Sequence, residues 1–235
     1  MKKLFLILAT VFAFTSANAQ DDEIRTRFGI KVAPNLSWIR SDTKGLEGDG
    51  NRFGYSIGLM AEFPMGPTGN YRFATGLFLT TIGGKIASAA NADSAGISMQ
   101  IVNRQTMNLR FVELPLTIKL MTNEIGYMRY FGTIGLMGGV NVRARADAET
   151  ITTTNGVTRT DSENDIDIQD NIRAIRAALV IGGGMEYNFS GQTSALIGIT
   201  YNNSIINVLE KEAIPGFDSP KLFAEYLELT LGVFF

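Results

Sequence analysis

Apolar and polar residues alternate with period two through eight stretches of this chain, and that spacing predicts strands. The last stretch is the clearest. Leu227, Leu229, Leu231, Val233 and Phe235 share one face, and Glu228, Thr230 and Gly232 share the other. The first stretch, 27–39, sets Phe28, Ile30, Val32, Leu36 and Trp38 together. The others span 52–65, 71–87, 107–120, 126–145, 172–189 and 193–207. Opposite their apolar faces fall Glu62, Arg72, Glu113, Lys119, Arg129, Arg143, Arg176 and Glu186, joined by Glu228 from the last.

The connections sort by length. Short turns follow the second, fourth and sixth stretches, at 66–69, 122–124 and 190–192. Long polar segments follow the first, third, fifth and seventh, at 41–51, 88–106, 146–171 and 208–221. Short turns at one end and long loops at the other are the pattern of bacterial outer-membrane barrels. The fold expected is all-β: an eight-stranded, antiparallel, up-and-down transmembrane β-barrel with both termini in the periplasm. A soluble sandwich does not sort its connections this way. Aromatic residues agree with that orientation. Trp38, Phe53, Tyr55 and Tyr201 fall toward the external rim; Phe63, Tyr71, Phe73, Tyr187, Phe189 and Phe235 fall toward the periplasmic one. A terminal aromatic on an alternating strand also marks Phe235 as the assembly signal.

Two local signals refine the outline. Asn155-Gly156 between β-branched residues predicts a two-residue hairpin turn with Thr154 opposite Val157. Counting back from that pair places Ile134 opposite Ala177 and Leu136 opposite Ile175, in a ribbon that rises beyond the membrane. Pro115 cannot donate to a ladder, so a bulge or a missing bond is expected beside it.

Composition narrows the chemistry. Lys2 and Lys3, an apolar run over 4–14 and Ala17-Asn18-Ala19 read as a secretory leader over 1–19, with the barrel domain over 20–235. The apolar run is too short for a helical span. Net charge is −2, so no basic footprint points to nucleic acid. The chain has neither cysteine nor histidine, which removes thiolate nucleophiles, Ser–His pairs and the commonest metal ligands. The acidic run 161–167 lacks the glycine and closing glutamate of a helix-loop-helix calcium site. Gly182-Gly183-Gly184 lies within a strand with no helix after it, so it reads as relief of crowding and not as a phosphate loop. No catalytic residue, cofactor or metal is expected. Eight strands leave an interior filled by side chains, where buried charges must pair.

The segment Phe111-Val112-Glu113-Leu114-Pro115-Leu116-Thr117-Ile118-Lys119 resembles the Leu-Glu-x-Pro-Leu…Lys strand of the PorT-like outer-membrane β-barrel family of Bacteroidota. Gly29-Ile30-Lys31, Gly54-Tyr55-Ser56-Ile57-Gly58 and Gly83-Gly84-Lys85 are similar to its other strands. Ala33-Pro34 and Thr75 depart from the pattern, where the family often has glycine and glutamate. The resemblance implies a non-enzymatic barrel and carries over no catalytic residue. The function expected is an interaction or accessory component of the cell outer membrane, secretion-associated or surface-exposed. The alternative is a narrow pore or ion path. Expected partners are outer-membrane lipid and lipopolysaccharide, the barrel-assembly machinery, and a secretion or envelope protein.

Overall fold

Nine antiparallel strands account for most of the chain in the computed structural model, which describes residues 25–94, 97–190, 193–210, 214, 217 and 219–235. The leader over 1–19, and Gly191 and Gln192 of the last short turn, lie outside the described residues. The strands are β1 (Arg27–Ser41), β2 (Leu46–Pro64), β3 (Tyr71–Ser94), β4 (Ile97–Met121), β5 (Met128–Thr154), β6 (Val157–Asp167), β7 (Ile175–Ser190), β8 (Thr193–Ser204) and β9 (Leu222–Phe234). Eight of them pair in a ring, β1-β2-β3-β4-β5-β7-β8-β9, and β9 pairs back onto β1. The extra strand, β6, pairs with β5 alone.

Alternation explains which side chains face where. Around the ring, leucine, isoleucine and valine on the outer face stay exposed: Leu59, Leu77, Ile134, Ile181 and Ile199 are all more than half exposed. A continuous apolar belt of this extent is unstable in water and stable in lipid. Aromatics collect at its two ends. Trp38 stacks on Tyr201 at 6.1 Å at one end, while Phe63–Phe73 and Tyr127–Tyr187–Phe189 cluster at the other, the end of the short turns and the termini.

At the opposite end the strands outrun the belt. A lipid-spanning strand needs about 9–11 residues, and β5 has 27. The segment expected as a loop over 88–106 is strand, with β3 and β4 paired out to Ser94↔Ile97, and the ribbon expected from Asn155-Gly156 is present, with β5 and β6 paired out to Thr154↔Val157. The result is a four-stranded ribbon, β3-β4-β5-β6, standing above the ring. Asn155 and Gly156 take the positive φ (49° and 80°) that the tight turn requires.

The counted-back register was wrong. Thr154 does face Val157, but Ile134 faces Ile181 and Leu136 faces Leu179. Two features add four residues: a bulge, where Asn164 and Asp165 oppose Asp147, and an excursion over 168–174 that contains a 3₁₀ turn at Gln169–Asn171. Four is even, so Ile134, Leu136, Leu179 and Ile181 keep their predicted outward face.

A second bulge does not spare a prediction. Arg110 faces Arg143 and Phe111 faces Asn141, leaving Val142 as an extra residue. Beyond it, Ala144 and Ala146 turn inward and Arg143 is exposed on the outside. Arg143 is therefore not an interior charge. Pro115 behaves as expected: the β3–β4 ladder runs from Thr75↔Leu116 to Phe78↔Glu113 with no pairs between. Pro34 makes a matching gap between β1 and β9, from Val32↔Leu231 to Asn35↔Glu228.

Candidate functional site

The interior of the ring is filled in tiers. Nearest the termini, Arg27, Glu62, Lys119 and Glu186 close a square of alternating charge. Arg27 donates to Glu62 at 2.5 Å and to Glu186 at 2.8 Å. Lys119 donates to Glu62 at 2.6 Å and also to Glu186. Strand register builds the square, because Arg27 faces Glu62 across β1–β2 while Lys119 and Glu186 arrive from β4 and β7. The Phe131 and Phe234 rings lie against its cations, 4.2 Å from Lys119 Nζ and 4.5 Å from the Arg27 guanidinium carbon. Such contacts strengthen once water is excluded. Gly184 and Gly198 make room for Phe131, since a Cβ on either would approach its Cζ to 2.8 or 3.1 Å. Arg72, buried beside the square, donates to the Arg25 carbonyl at 3.2 Å and lies 3.9 Å from Glu62.

The middle tier is one pair. Lys31 donates to Glu228 at 2.6 Å and sits 4.2 Å from the Phe78 ring. Between this tier and the square lies a cavity of about 100 Å³ walled by Lys31, Glu62, Thr117, Lys119, Thr200 and Glu228. In the third tier Arg176 donates to Glu113 at 2.5 Å and to the Ala224 carbonyl at 3.1 Å. Tyr226 donates to the other oxygen of Glu113 at 2.9 Å. Glu113 and Arg176 are 0% and 1% exposed, so each charge depends on its partner.

Above the charges the interior turns apolar. Ile39, Ile82, Leu109, Phe111, Ile168, Ile172, Leu209 and Leu222 belong to one buried cluster that occupies the ribbon end of the ring. Ile168 and Ile172 flank the 3₁₀ turn, and Leu209 bridges to Ile172. Ile168 and Leu209 reach the axis from segments whose polarity reads as loop.

Of the nine interior charges expected from sequence, Glu62, Arg72, Glu113, Lys119, Arg176, Glu186 and Glu228 are buried within the ring. Arg129 sits half-exposed at the turn end, 3.4 Å from Glu124. Arg143 is outside. Arg27 and Lys31, which complete two of the tiers, were missed. Their signal was present, because both lie opposite Phe28, Ile30 and Val32 on β1. Glu62, Glu113, Glu186 and Glu228 are each held by a cation, an arrangement that braces the wall. Among the described residues no group of three or more His, Cys, Asp or Glu side chains is placed to hold a metal. No helix among them is long and apolar enough to cross a membrane; the strands carry the apolar belt. The site is a salt-bridged, hydrogen-bonded interior.

A family model described as "Outer membrane protein beta-barrel domain" matches residues 18–213. No curated protein matches the chain. Among solved structures, the chain is similar to Neisserial surface protein A, at 11% identity over 88% of this chain and 95% of that one, with a TM-score of 0.42. It is similar to OprG from Pseudomonas aeruginosa at 11% identity over 89% and 94%, TM-score 0.40. It is also similar to the attachment invasion locus protein Ail of Yersinia pestis, solved with the heparin analogue sucrose octasulfate, at 13% identity over 90% and 99%, TM-score 0.32.

Proposed function

Because the chain belongs to the outer membrane protein beta-barrel domain family, we propose that it is a closed, non-conducting, eight-stranded transmembrane barrel that presents its ribbon to a protein outside the cell. The observation that carries this reading is the ribbon itself. Four strands continue past the belt, and the outermost, β6, has one edge without a strand partner among the described residues. A free edge in water invites pairing with another chain. Nothing in a structural plug requires strands of that length.

The tiered interior supports non-conduction over the narrow pore. An ion would have to part the Arg27–Glu62–Lys119–Glu186 square and then cross the apolar cluster around Ile82 and Leu109. Both steps carry a large desolvation cost. Export with removal of 1–19, insertion by the barrel-assembly machinery reading the strand that ends at Phe235, and placement among outer-membrane lipids complete the proposal. Closer kinship with the PorT-like group rests on the β4 motif, whose Glu113 and Lys119 supply two of the interior tiers.

In-cell photo-crosslinking tests the reading. Probes at Thr158 and Thr160 on β6 are expected to capture a surface partner, and probes at Asn70 and Asn123 in the opposite turns are not. Adducts from the turns alone would replace the surface role with a periplasmic, secretion-associated one. Planar-bilayer recording of the purified protein is expected to show no unitary conductance, and steady channels would overturn the plug.

A further inference from the structure

One row of residues crosses the outer wall where the apolar belt gives way to the ribbon. Tyr55 faces Thr81, Thr81 faces Arg110, and Arg110 faces Arg143, across β2, β3, β4 and β5 in turn. Directly opposed residues hold their Cβ atoms about 4.5–5.5 Å apart, and like charges so placed repel. The bulge at Val142 creates the confrontation by turning Arg143 outward. Neighbouring arginines have carboxylates: Arg104 pairs with Asp49, and Arg145 with Asp165 and Asp167. Arg110 and Arg143 have no ion pair among the described residues, and the Arg110 Nε and Thr81 Oγ1 are enclosed with no hydrogen-bond partner there. Immediately toward the belt lie Val140 and Val142, 53% and 49% exposed.

We propose that Arg110 and Arg143 form a binding site for the phosphate monoester of an outer-leaflet lipid headgroup. Two guanidiniums without a carboxylate match a dianion better than the single charge of a phosphodiester, and their forks suit phosphate oxygens. The valines below offer acyl chains an apolar wall, and Tyr55 at the same level is an aromatic suited to the interface. This inference rests on the membrane-spanning reading proposed above.

Native mass spectrometry of the detergent-solubilised full chain tests it, with lipid A bearing phosphate monoesters, its dephosphorylated form, phosphatidylglycerol and inorganic phosphate as probes. Phosphorylated lipid A is expected to be retained at least about tenfold more strongly than the other two lipids, the scale of hydrogen bonds to charged groups. The R110Q/R143Q variant is expected to lose that preference, and R145Q to keep it. Equal retention of the dephosphorylated lipid or of phosphatidylglycerol would overturn the proposal. So would an unchanged double variant, or displacement of the lipid by equimolar inorganic phosphate. Heat-shifted gel mobility checks the fold first; should the double variant misfold, the wild-type comparison of lipids still decides. A chain that fails to insert into vesicles defeats the membrane reading as well, whereas one that inserts without discriminating lipids defeats this site alone.

Discussion

Arg176 is the bulkiest side chain wholly enclosed by the ring. Arg176→Met would strand the Glu113 carboxylate without its cation, a loss of about 3–5 kcal/mol for breaking a buried pair from one side. Removing both charges in Arg176→Met/Glu113→Leu is expected to cost less than the single change, read by urea titration of protein refolded into vesicles. Arg143→Gln, in vesicles free of phosphorylated glycolipid, is expected to stay within about 0.5 kcal/mol of wild type. The two arginines look alike in the sequence, each alternating with apolar neighbours. What separates them is Val142, one extra residue in one strand, and the pattern of β5 alone does not reveal it. Arg27 and Lys31 were legible by the same alternation, since the polar face of β1 follows directly from its apolar one.

At the scale of elements, deleting Val142 is expected to leave the barrel folded. Arg143 would then follow Asn141 in strict alternation, and both ends of β5 would keep their faces. Deleting Leu136, which faces Leu116 and Leu179 inside the belt, would reverse every face beyond it. Heat-shifted gel mobility is expected to persist in the first deletion and vanish in the second. The belt strands were readable because lipid on one side and packed charge on the other impose period two. The β3–β4 half of the ribbon was not. Ala87-Ser88-Ala89-Ala90 belongs to a strand beyond the belt, and a strand wet on both faces has no reason to alternate, whereas the β5–β6 half was legible from its Asn155-Gly156 turn. Pro115 was legible for a different reason: its missing N–H must break a ladder wherever a strand places it.

For the molecule as a whole, the eight strands of the ring, the short turns between them and the ends of the aromatic girdles followed from the pattern along the chain, while the separation of a ninth strand, β6, from β7 did not. The apolar cluster at the ribbon end did not either, because Ile168 and Leu209 come from long polar segments with no alternation to assign a face. Phe235 closes the strand that we propose the assembly machinery reads. It is 59% exposed in the terminal-end girdle, and its N–H reaches the Phe28 carbonyl at 2.9 Å. Removing it is expected to slow membrane assembly, followed by the time course of the mobility shift. The equilibrium stability of molecules that do fold should change by only about 1 kcal/mol, the scale of one hydrogen bond.

The gap that Pro34 leaves between β1 and β9 bears on the order of events. Those two strands are neighbours in space and lie at opposite ends of the described chain, so their meeting waits for every hairpin between them. Their shared edge is also the one the proline interrupts, and Lys31 and Glu228 reach across it from either side. Until the first and last strands touch, both charges are stranded, so closure and neutralisation arrive in one late step. Pulled by its two ends, the barrel should unzip along that seam first, and Lys31→Met should lower the force at which it begins.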